Sequence, residues 1–459
     1  MTREELEKTH PDYDALVGEW QFFIRSYFGG KIYKDGNYLI QHPFESTTNY
    51  KRRSEISYYY NYCAPIADLF VSHLFRKEAE KDFGSFSGDP LFTAFINDAD
   101  LEGSSLKQFM REAQRFASVY GRVSIVVDKP KVTGLTVAEA KEHDLRPYLS
   151  LITPENLVDW HYTRLTSGKP VLESVKIKET ETRYRIWTRE AWWLWEKDKG
   201  SNEVVLLDSG EHNLGVVPVV TLYNKRSGRK MLGVSDIQDI ADINKNIYYL
   251  CSDAKEIIEN TAFPMLALPY EKVGAEEERL VGPRNILQFD PTEPGAKPYW
   301  LEAPHSSLTE IREWVKQDIN EIHRIAKMGG VKATEERSAR SGVALELEFQ
   351  QLHATLSEKA DNIEEAETEV LKLFARWQGS EFDGLIDYPD DFSVRDLDRD
   401  LDRVIKAISL PVSSVTLRRE LQKKIARIAM PKLDEQTRQK ITEEIEGANL
   451  GERDERPVS

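Results

Sequence analysis

The sequence predicts an α+β protein in which a mixed N-terminal region precedes a long helical hairpin. Three observations support this prediction. Two stretches with apolar residues at three- and four-residue steps flank a segment rich in proline and glycine. A longer apolar stripe of the same period follows a charged loop that begins with two glycines. Before these helices, the pattern changes at Gly121 from helical periodicity to short strand-like runs.

The size and composition of the chain limit its architecture. At 459 residues it is too long for one compact core, and we expect roughly three structural units. Apolar residues make up 40% of the chain, which excludes disorder, whereas 31% charged residues and a mean hydropathy of −0.53 indicate a polar exterior. This balance favours elongated helices and large subunit contacts over a globule.

Charge, cysteine content and hydropathy exclude several classes of protein. The net charge of −16 argues against tight phosphate binding, which needs lysines and arginines, but allows a protein that surrounds DNA without gripping it. Cys63 and Cys251 are far apart in apolar helical patterns and are expected to be reduced thiols. Without a signal sequence or an apolar run of about 20 residues, we expect a soluble protein that is neither secreted nor membrane-inserted.

The N-terminal region is predicted to be helical first and then mostly an antiparallel sheet. Residues 1–12 are expected to form a loose polar arm, followed by a helix that ends at Gly29. Helices are predicted over Ser46 to Phe75, as one continuous element, and over Leu106 to Tyr120. The predicted strands up to about Asn224 are GRVSIVVD, YLSLI, SVKIKETETRYRIWT, AWWLWE, VVLLD and VPVVTLY.

The hairpin and the regions after it are also predicted from periodicity. Its helices run from Ser235 to about Asn260 and from Ser307 to Lys327, and the insert between them carries extended pieces MLALPY and NILQF. A third helix starts at Ser341 and its stripe ends at Trp377. The turn-rich link that follows leads to predicted C-terminal helices at Asp396–Ile408, Val415–Met430 and Glu435–Ile445, and then to a disordered tail.

Signatures of enzymes and metal sites are missing from the sequence. Gly168 and Lys169 lack the upstream glycine of a phosphate loop, and neither G-x-S-x-G, H-E-x-x-H nor C-x-x-C occurs. The acidic run from Asp396 to Asp402 has no glycine at position six and carries Ala407 at position twelve, so we expect no calcium site. No cofactor is expected.

Two other features have competing interpretations. The aromatic residues Trp187, Trp192, Trp193 and Trp195 are of a kind that stacks on bases, but packing between strands is favoured because basic residues do not cluster there. The loop after the hairpin, from Met328 to Gly342, is either a solvated linker or a functional loop. Its mixed charges are suited to weak, sequence-independent contacts with a polyanion. These charges are Lys332, Glu335, Glu336, Arg337 and Arg340.

Taken in order, these parts resemble the portal proteins of tailed bacteriophages. Three sets of residues carry the resemblance, through their order and spacing over roughly residues 15–380. They are Trp20 with YLIQHPFES at 38–46, YKRR at 50–53, Asn61 and LFR at 74–76; HNLGVVP at 212–218 with LGVSDI at 232–237; and GPRNIL at 282–287 with SGVAL at 341–345.

The resemblance implies a division of the chain into the parts of a portal subunit. These are a wing at 1–230, a first stem helix at 231–263, a clip at 264–305, a second stem helix at 306–328, a tunnel loop at 329–341, a long wing helix at 342–378, a linker at 379–394, a crown at 395–447 and a disordered tail at 448–459.

It also implies a function. Portal subunits form a ring, usually of twelve copies, at one capsid vertex, through which double-stranded DNA is packaged, retained and ejected. The implied protein partners are the terminase, a head–tail adaptor and the major capsid protein. The implied location is the virion, after synthesis in the host cytoplasm. The protein itself is then structural and not an enzyme, and ATP hydrolysis belongs to the terminase.

Individual residues receive roles by the same resemblance. The charged residues of the tunnel loop are expected to meet DNA, with Gly329, Gly330 and Gly342 as hinges. In the clip, the expected partner-facing residues are Tyr270, Lys272, Glu276, Glu277 and Glu278.

Two other classes of function remain as alternatives. One is a virion adaptor or scaffold that binds proteins but never surrounds DNA, which the long hairpin with a folded tip disfavours. The other is a hydrolase built on Asp387, Asp390 and Asp391, which the turn-rich surroundings of these acids disfavour.

Overall fold

A computed structural model of the protein describes residues 1–131, 145–198, 203–261, 265–269, 286–289, 297–301, 306–326, 342–389, 392, 414–429 and 435–447. The chain divides into two compact units, Met1–Phe392 and Ser393–Ser459, and each is described by itself. The first unit contains both helices and strands, and the described part of the second unit is helical. This agrees with the predicted α+β class. Within the described residues, no helix is long and apolar enough to cross a bilayer.

Helices dominate both ends of the first unit. In chain order they are α1 (Arg3–Glu7), α2 (Pro11–Phe28), α3 (Gly30–Lys34), α4 (Thr47–Ile56), α5 (Cys63–Leu74), α6 (Pro90–Asn97), α7 (Leu106–Tyr120), α8 (Gln238–Thr261), α9 (Ser306–Ile325) and α10 (Gly342–Trp377). Helix α7 confirms the predicted bounds, and α2 ends at Gly29, whose φ of 64° suits a glycine.

The prediction of a loose arm over residues 1–12 is wrong. Thr2 and Glu5 form a reciprocal capping box that starts α1, and α2 begins at Pro11. Leu6 is fully buried in a small cluster with Val158 and Tyr184. The single apolar side chain in a charged segment therefore anchors the N-terminus, a contact that local periodicity does not reveal.

The single helix predicted from Ser46 to Phe75 is also wrong. The structure has α4 and α5 separated by residues 57–62. The Tyr59 hydroxyl donates to Asn244 Oδ1 at 3.0 Å, and Asn244 Nδ2 donates to the carbonyl of Tyr60 at 2.7 Å. Contacts with α8, distant in sequence, thus hold this segment out of helical conformation.

The sheets of the first unit lie between its helices. Their strands are β1 (Glu80–Asp82), β2 (Arg122–Asp128), β3 (Tyr148–Ile152), β4 (Leu157–Arg164), β5 (Pro170–Lys178), β6 (Arg183–Thr188), β7 (Ala191–Lys197), β8 (Val204–Glu211), β9 (Val219–Tyr223), β10 (Met265–Pro269), β11 (Ile286–Phe289), β12 (Tyr299–Leu301) and β13 (Leu385–Asp387). The sheet orders are β3-β2-β9, β4-β5-β6-β7-β8, β11-β10-β12 and β1-β13.

The five-stranded sheet is an antiparallel meander. Its middle strands correct one prediction, because SVKIKETETRYRIWT forms the hairpin β5–β6 and not one strand. Trp187 and Trp192 are cross-strand partners on β6 and β7, and Trp187 is fully buried. The tryptophan patch therefore packs the sheet, as the favoured interpretation predicted.

One buried charge marks the centre of this unit. Arg122, on β2, is fully buried, with its guanidinium 5.5 Å from the ring centre of Trp20 and 5.3 Å from that of Trp160. Burial lowers the pKa of Arg122 to about 10. Cation–π contacts with the two indole rings offset part of its desolvation.

The remaining predictions fall at the C-terminal end. In the second unit, helices α11 (Val415–Ala429) and α12 (Glu435–Gly447) confirm two of the three predicted helices, and Lys423 pairs with Glu446 at 2.9 Å. The predicted helix at 396–408 and the tail at 448–459 lie outside the described residues. Within the proposed linker, Leu385–Asp387 pairs with β1.

Candidate assembly surface on the helical hairpin

The two hairpin helices pack antiparallel, and one polar contact between them marks their register. Asn246 Nδ2 on α8 donates to Asp318 Oδ2 on α9 at 2.7 Å. Helix α8, at Gln238–Thr261, and helix α9, at Ser306–Ile325, lie close to the stretches predicted from periodicity. The described strands between them, β10 to β12, form a small sheet of mixed direction.

The first half of α8 is built into the core. Ile240, Ala241 and Ile247 are fully buried, as is Ile237 immediately before the helix. Asn244, on the same helix, accepts hydrogen bonds from the Tyr59 hydroxyl and from the backbone N–H of Tyr62 at 2.9 Å. The first turns of α8 are therefore held firmly by the N-terminal region.

A buried arginine ties α4 and the preceding loop to the second half of α8. Arg53 donates to both carboxylate oxygens of Glu45 at 2.8 Å, to the carbonyl of Ile40 at 2.7 Å and to Ser252 Oγ at 3.3 Å. This bidentate pair holds the pKa of Glu45 below its ordinary value. Asp253 lies 3.6 Å from the same guanidinium.

The long helix α10 is joined to the start of α8 by a buried ion pair. Lys359 Nζ donates to both oxygens of Asp236 at 2.8 Å and also to Asn224, and the Lys359 side chain is only 3% exposed. Asn224 Nδ2 donates in turn to Asp236 Oδ1 at 3.0 Å. Asp236 immediately precedes the hairpin, so this cluster fixes the long helix against the hairpin base.

A close backbone contact between Gly121 and Gly233 positions the segment that leads into the hairpin. A Cβ built on Gly233 would lie 1.9 Å from the carbonyl oxygen of Gly121, at the end of α7. That carbonyl accepts a hydrogen bond from the Asn224 backbone N–H at 2.9 Å. Ser235 Oγ then donates to the carbonyl of Val119 at 2.6 Å and caps the Ile237 N–H. Close backbone approach therefore places the LGVSDI segment.

Helix α9 is much less buried than the first half of α8. Of its apolar stripe, only Ile322 is fully buried, whereas Leu308, Ile311, Val315 and Ile319 are half-buried. Trp314, beside this stripe, is 57% exposed. An apolar stripe of this length that stays partly exposed to solvent in one subunit is suited to packing against another protein surface.

Of the site residues predicted from the sequence, the structure describes Gly342. Lys332, Glu335, Glu336, Arg337 and Arg340 lie outside the described residues, as do Gly329 and Gly330. Gly342 is the first residue of α10. The clip residues Tyr270, Lys272, Glu276, Glu277 and Glu278 also lie outside the described residues.

The structure brings together residues that sequence analysis did not single out. Lys359 and Asp236 meet although they are 123 residues apart, and Lys359 belongs to no recognisable motif. Trp314 stands at the edge of an apolar stripe, and its exposure is not encoded in the pattern. One signal in the sequence pointed to this cluster, namely the LGVSDI segment, which contains Asp236. The resemblance singled out this segment by its place in the chain and did not indicate its contacts.

The described residues also bear on the alternative hydrolase. Asp387 is exposed on β13, and Asp390 and Asp391 lie outside the described residues. No group of three or more histidine, cysteine or acidic side chains placed to hold a metal occurs in the part of the chain that the structure describes. Cys63 is buried and Cys251 is half-buried, and both are free thiols, as predicted.

Comparisons with known proteins identify the family of the chain. The family model "Phage portal protein, SPP1 Gp6-like" matches residues 107–428. No curated protein matches the sequence. Among solved structures, a chain in "Virion of native gene transfer agent (GTA) particle" is 14% identical with a TM-score of 0.42, over 78% of this chain and 88% of that one.

A second solved chain, in "Neck of native GTA particle computed with C12 symmetry", is 12% identical with a TM-score of 0.44, over 90% of this chain and 94% of that one. The family match spans well over half of the sequence. The chain therefore belongs to the SPP1 Gp6-like family of phage portal proteins.

Proposed function

We propose that this portal protein assembles into a ring that forms the DNA conduit at a capsid vertex, for genome packaging, retention and ejection. One observation carries the proposal beyond family membership, namely the half-exposed apolar stripe of α9. A hairpin with such a stripe buries more apolar surface when it packs against its own copies. A head-to-tail contact of this kind closes into a ring, with interfaces expected above roughly 2,000 Å².

The proposed ring contains twelve subunits, with α8 and α9 as its stem. The measurement is the mass of the purified protein by native mass spectrometry, together with negative-stain images. We expect a particle of twelve 52.9 kDa subunits with a central hole. Compact monomers at all concentrations would refute the ring and favour an adaptor or scaffold that never surrounds DNA.

The partners of the ring follow from its proposed place in the virion. The clip, at 264–305, is proposed to dock the terminase during packaging and a head–tail adaptor afterwards, through Tyr270, Lys272 and the acids at 276–278. The outer wing is proposed to contact the major capsid protein. The subunit supplies no ATPase activity of its own, and it is made in the host cytoplasm before assembly into the virion.

The tunnel loop at 329–341 is proposed to meet DNA weakly. Lys332, Arg337 and Arg340 contact phosphates transiently, while Glu335 and Glu336 limit their grip, because strong cationic contacts would trap a duplex that must slide. We expect Glu335→Gln with Glu336→Gln to slow DNA passage and to lower packaging yield, measured as nuclease-protected DNA per particle.

The control for this loop is Glu173→Gln, which neutralises an exposed acid on β5. That variant should package as the parent protein does. If the double variant in the loop also matched the parent in packaging yield and DNA retention, the proposed braking role of the two glutamates would be wrong.

A further inference from the structure

The hairpin presents two different sides, and Trp314 lies on one of them. Residues four apart lie on the same side of a helix, so Trp314 shares a side of α9 with Asp318, whose carboxylate bonds to Asn246. Glu310, four residues before Trp314, is exposed on the same side. This side of the hairpin therefore carries a large exposed indole with acids next to it.

The other side of the hairpin carries exposed tyrosines and a lysine. Along α8, Cys251 and Lys255 lie about 140° and about 180° around the helix from Asn246, at 3.6 residues per turn. Lys255 Nζ donates to the carbonyl of Ile56 at 3.0 Å and lies 5.5 Å from the ring centre of Tyr58. Tyr58 and Tyr60 are 48% and 46% exposed, with their rings 4.9 Å apart.

The two sides are matched in height along the hairpin. Because Asn246 bonds to Asp318 and the helices are antiparallel, Trp314 lies level with Leu250 and Glu310 lies level with Ala254. The tyrosines lie near the same level, since the Tyr58 ring centre is 5.5 Å from Lys255 Nζ, next to Ala254 in sequence, and the Tyr60 hydroxyl donates to that of Tyr58 at 3.3 Å.

Height matters because rotation about a ring axis preserves it. When hairpins stand nearly parallel to such an axis, one side of each hairpin faces the opposite side of the next hairpin at the same level. The aromatic and acidic side then meets the tyrosine and lysine side. Both halves of the contact are present on every subunit, as a closing head-to-tail interface requires.

We propose that Trp314 of one subunit packs on Tyr58 and Tyr60 of a second copy of this chain, with Glu310 facing Lys255 across the contact. This inference rests on the proposed ring and names the contact that seals it. The indole supplies a large rigid surface, and tryptophan and tyrosine are both enriched among the residues that contribute most to interface stability. The charges at its edge select the correct face.

The test compares ring stability in substituted proteins by native mass spectrometry over a dilution series. We expect Trp314→Ala to raise the subunit concentration at which half of the rings dissociate by about tenfold or more. The matched control is Leu206→Ala, which removes an exposed leucine from β8 and should leave that concentration unchanged. Rings of Trp314→Ala as stable as the parent would overturn the contact.

Charge reversal identifies the partner residues. Glu310→Lys and Lys255→Glu should each weaken the ring, and the double variant should recover most of the loss. Melting temperatures separate this effect from misfolding, because Lys255 also contacts its own subunit. Absence of recovery in well-folded double variants would reject the pairing. If the parent protein forms no ring, the proposed function itself fails, whereas intact rings without these effects refute only the contact.

Discussion

Replacing Gly233 by alanine is expected to destabilise the subunit by on the order of 3 kcal/mol or more. The new Cβ would lie 1.9 Å from the carbonyl oxygen of Gly121 and 2.6 Å from its carbonyl carbon. Backbone atoms, unlike the end of a flexible side chain, cannot move away without breaking local hydrogen bonds. Among these is the bond from the Val234 N–H to the carbonyl of Lys225, at 2.9 Å.

A second glycine provides the control for this prediction. Gly18 lies inside α2, where a Cβ would meet nothing within 4 Å. Gly18→Ala should stabilise the protein by about 0.5–1 kcal/mol, since alanine favours the helix. Denaturant unfolding of both variants measures the difference. If the Gly233→Ala and Gly18→Ala variants were equally stable, the close contact between Gly233 and Gly121 would be wrong.

Replacing Lys359 by methionine is the second change expected to have a large effect. It leaves the Asp236 carboxylate at the base of the hairpin without its cation, in surroundings where both side chains are nearly inaccessible. Removal of one partner from a buried pair costs about 3–5 kcal/mol. The long helix α10 should also separate more readily from the hairpin, which amide exchange along α10 would detect.

The same helix contains a matched control for this substitution. Lys372 pairs with Glu369 one turn away, at 2.8 Å, and both side chains are about half exposed. Lys372→Met should change the free energy of unfolding by less than about 1 kcal/mol. Adding Asp236→Asn to Lys359→Met should restore part of the lost stability. A Lys359→Met variant that melts like the parent would contradict the assigned role.

Periodicity predicted the long helices well, because their burial repeats with the helical turn. Helix α7 is confirmed at both ends, and α8, α9 and α10 lie close to their predicted ranges. In these segments local propensity and tertiary packing favour the same conformation. The fold class follows from such segments.

The wrong predictions share a different cause. Residues 57–62 are held away from helical conformation by Asn244, and α1 is anchored by one leucine against a distant sheet. Strand β4 was not predicted at all, because its buried pattern Leu157–Val158–Asp159–Trp160 does not alternate. These elements depend on partners far away in sequence, which no local window contains.

Buried polar residues were equally hard to predict. Lys359 stands in the long helix among charged residues, and Arg122 opens a strand, so both suggest solvent exposure. The structure buries Lys359 with Asp236 and Arg122 between Trp20 and Trp160. Charge alone does not distinguish a solvated face from a buried pair, since the difference lies in the partner.

The proposed conduit requires α8 and α9 to stand side by side with copies of themselves around an open axis. A cryo-EM reconstruction of the assembled protein tests it most directly. The predicted map shows a closed ring whose central channel is lined by these hairpins and admits a DNA duplex. A map with the hairpins away from the channel, or an assembly without one, would contradict it.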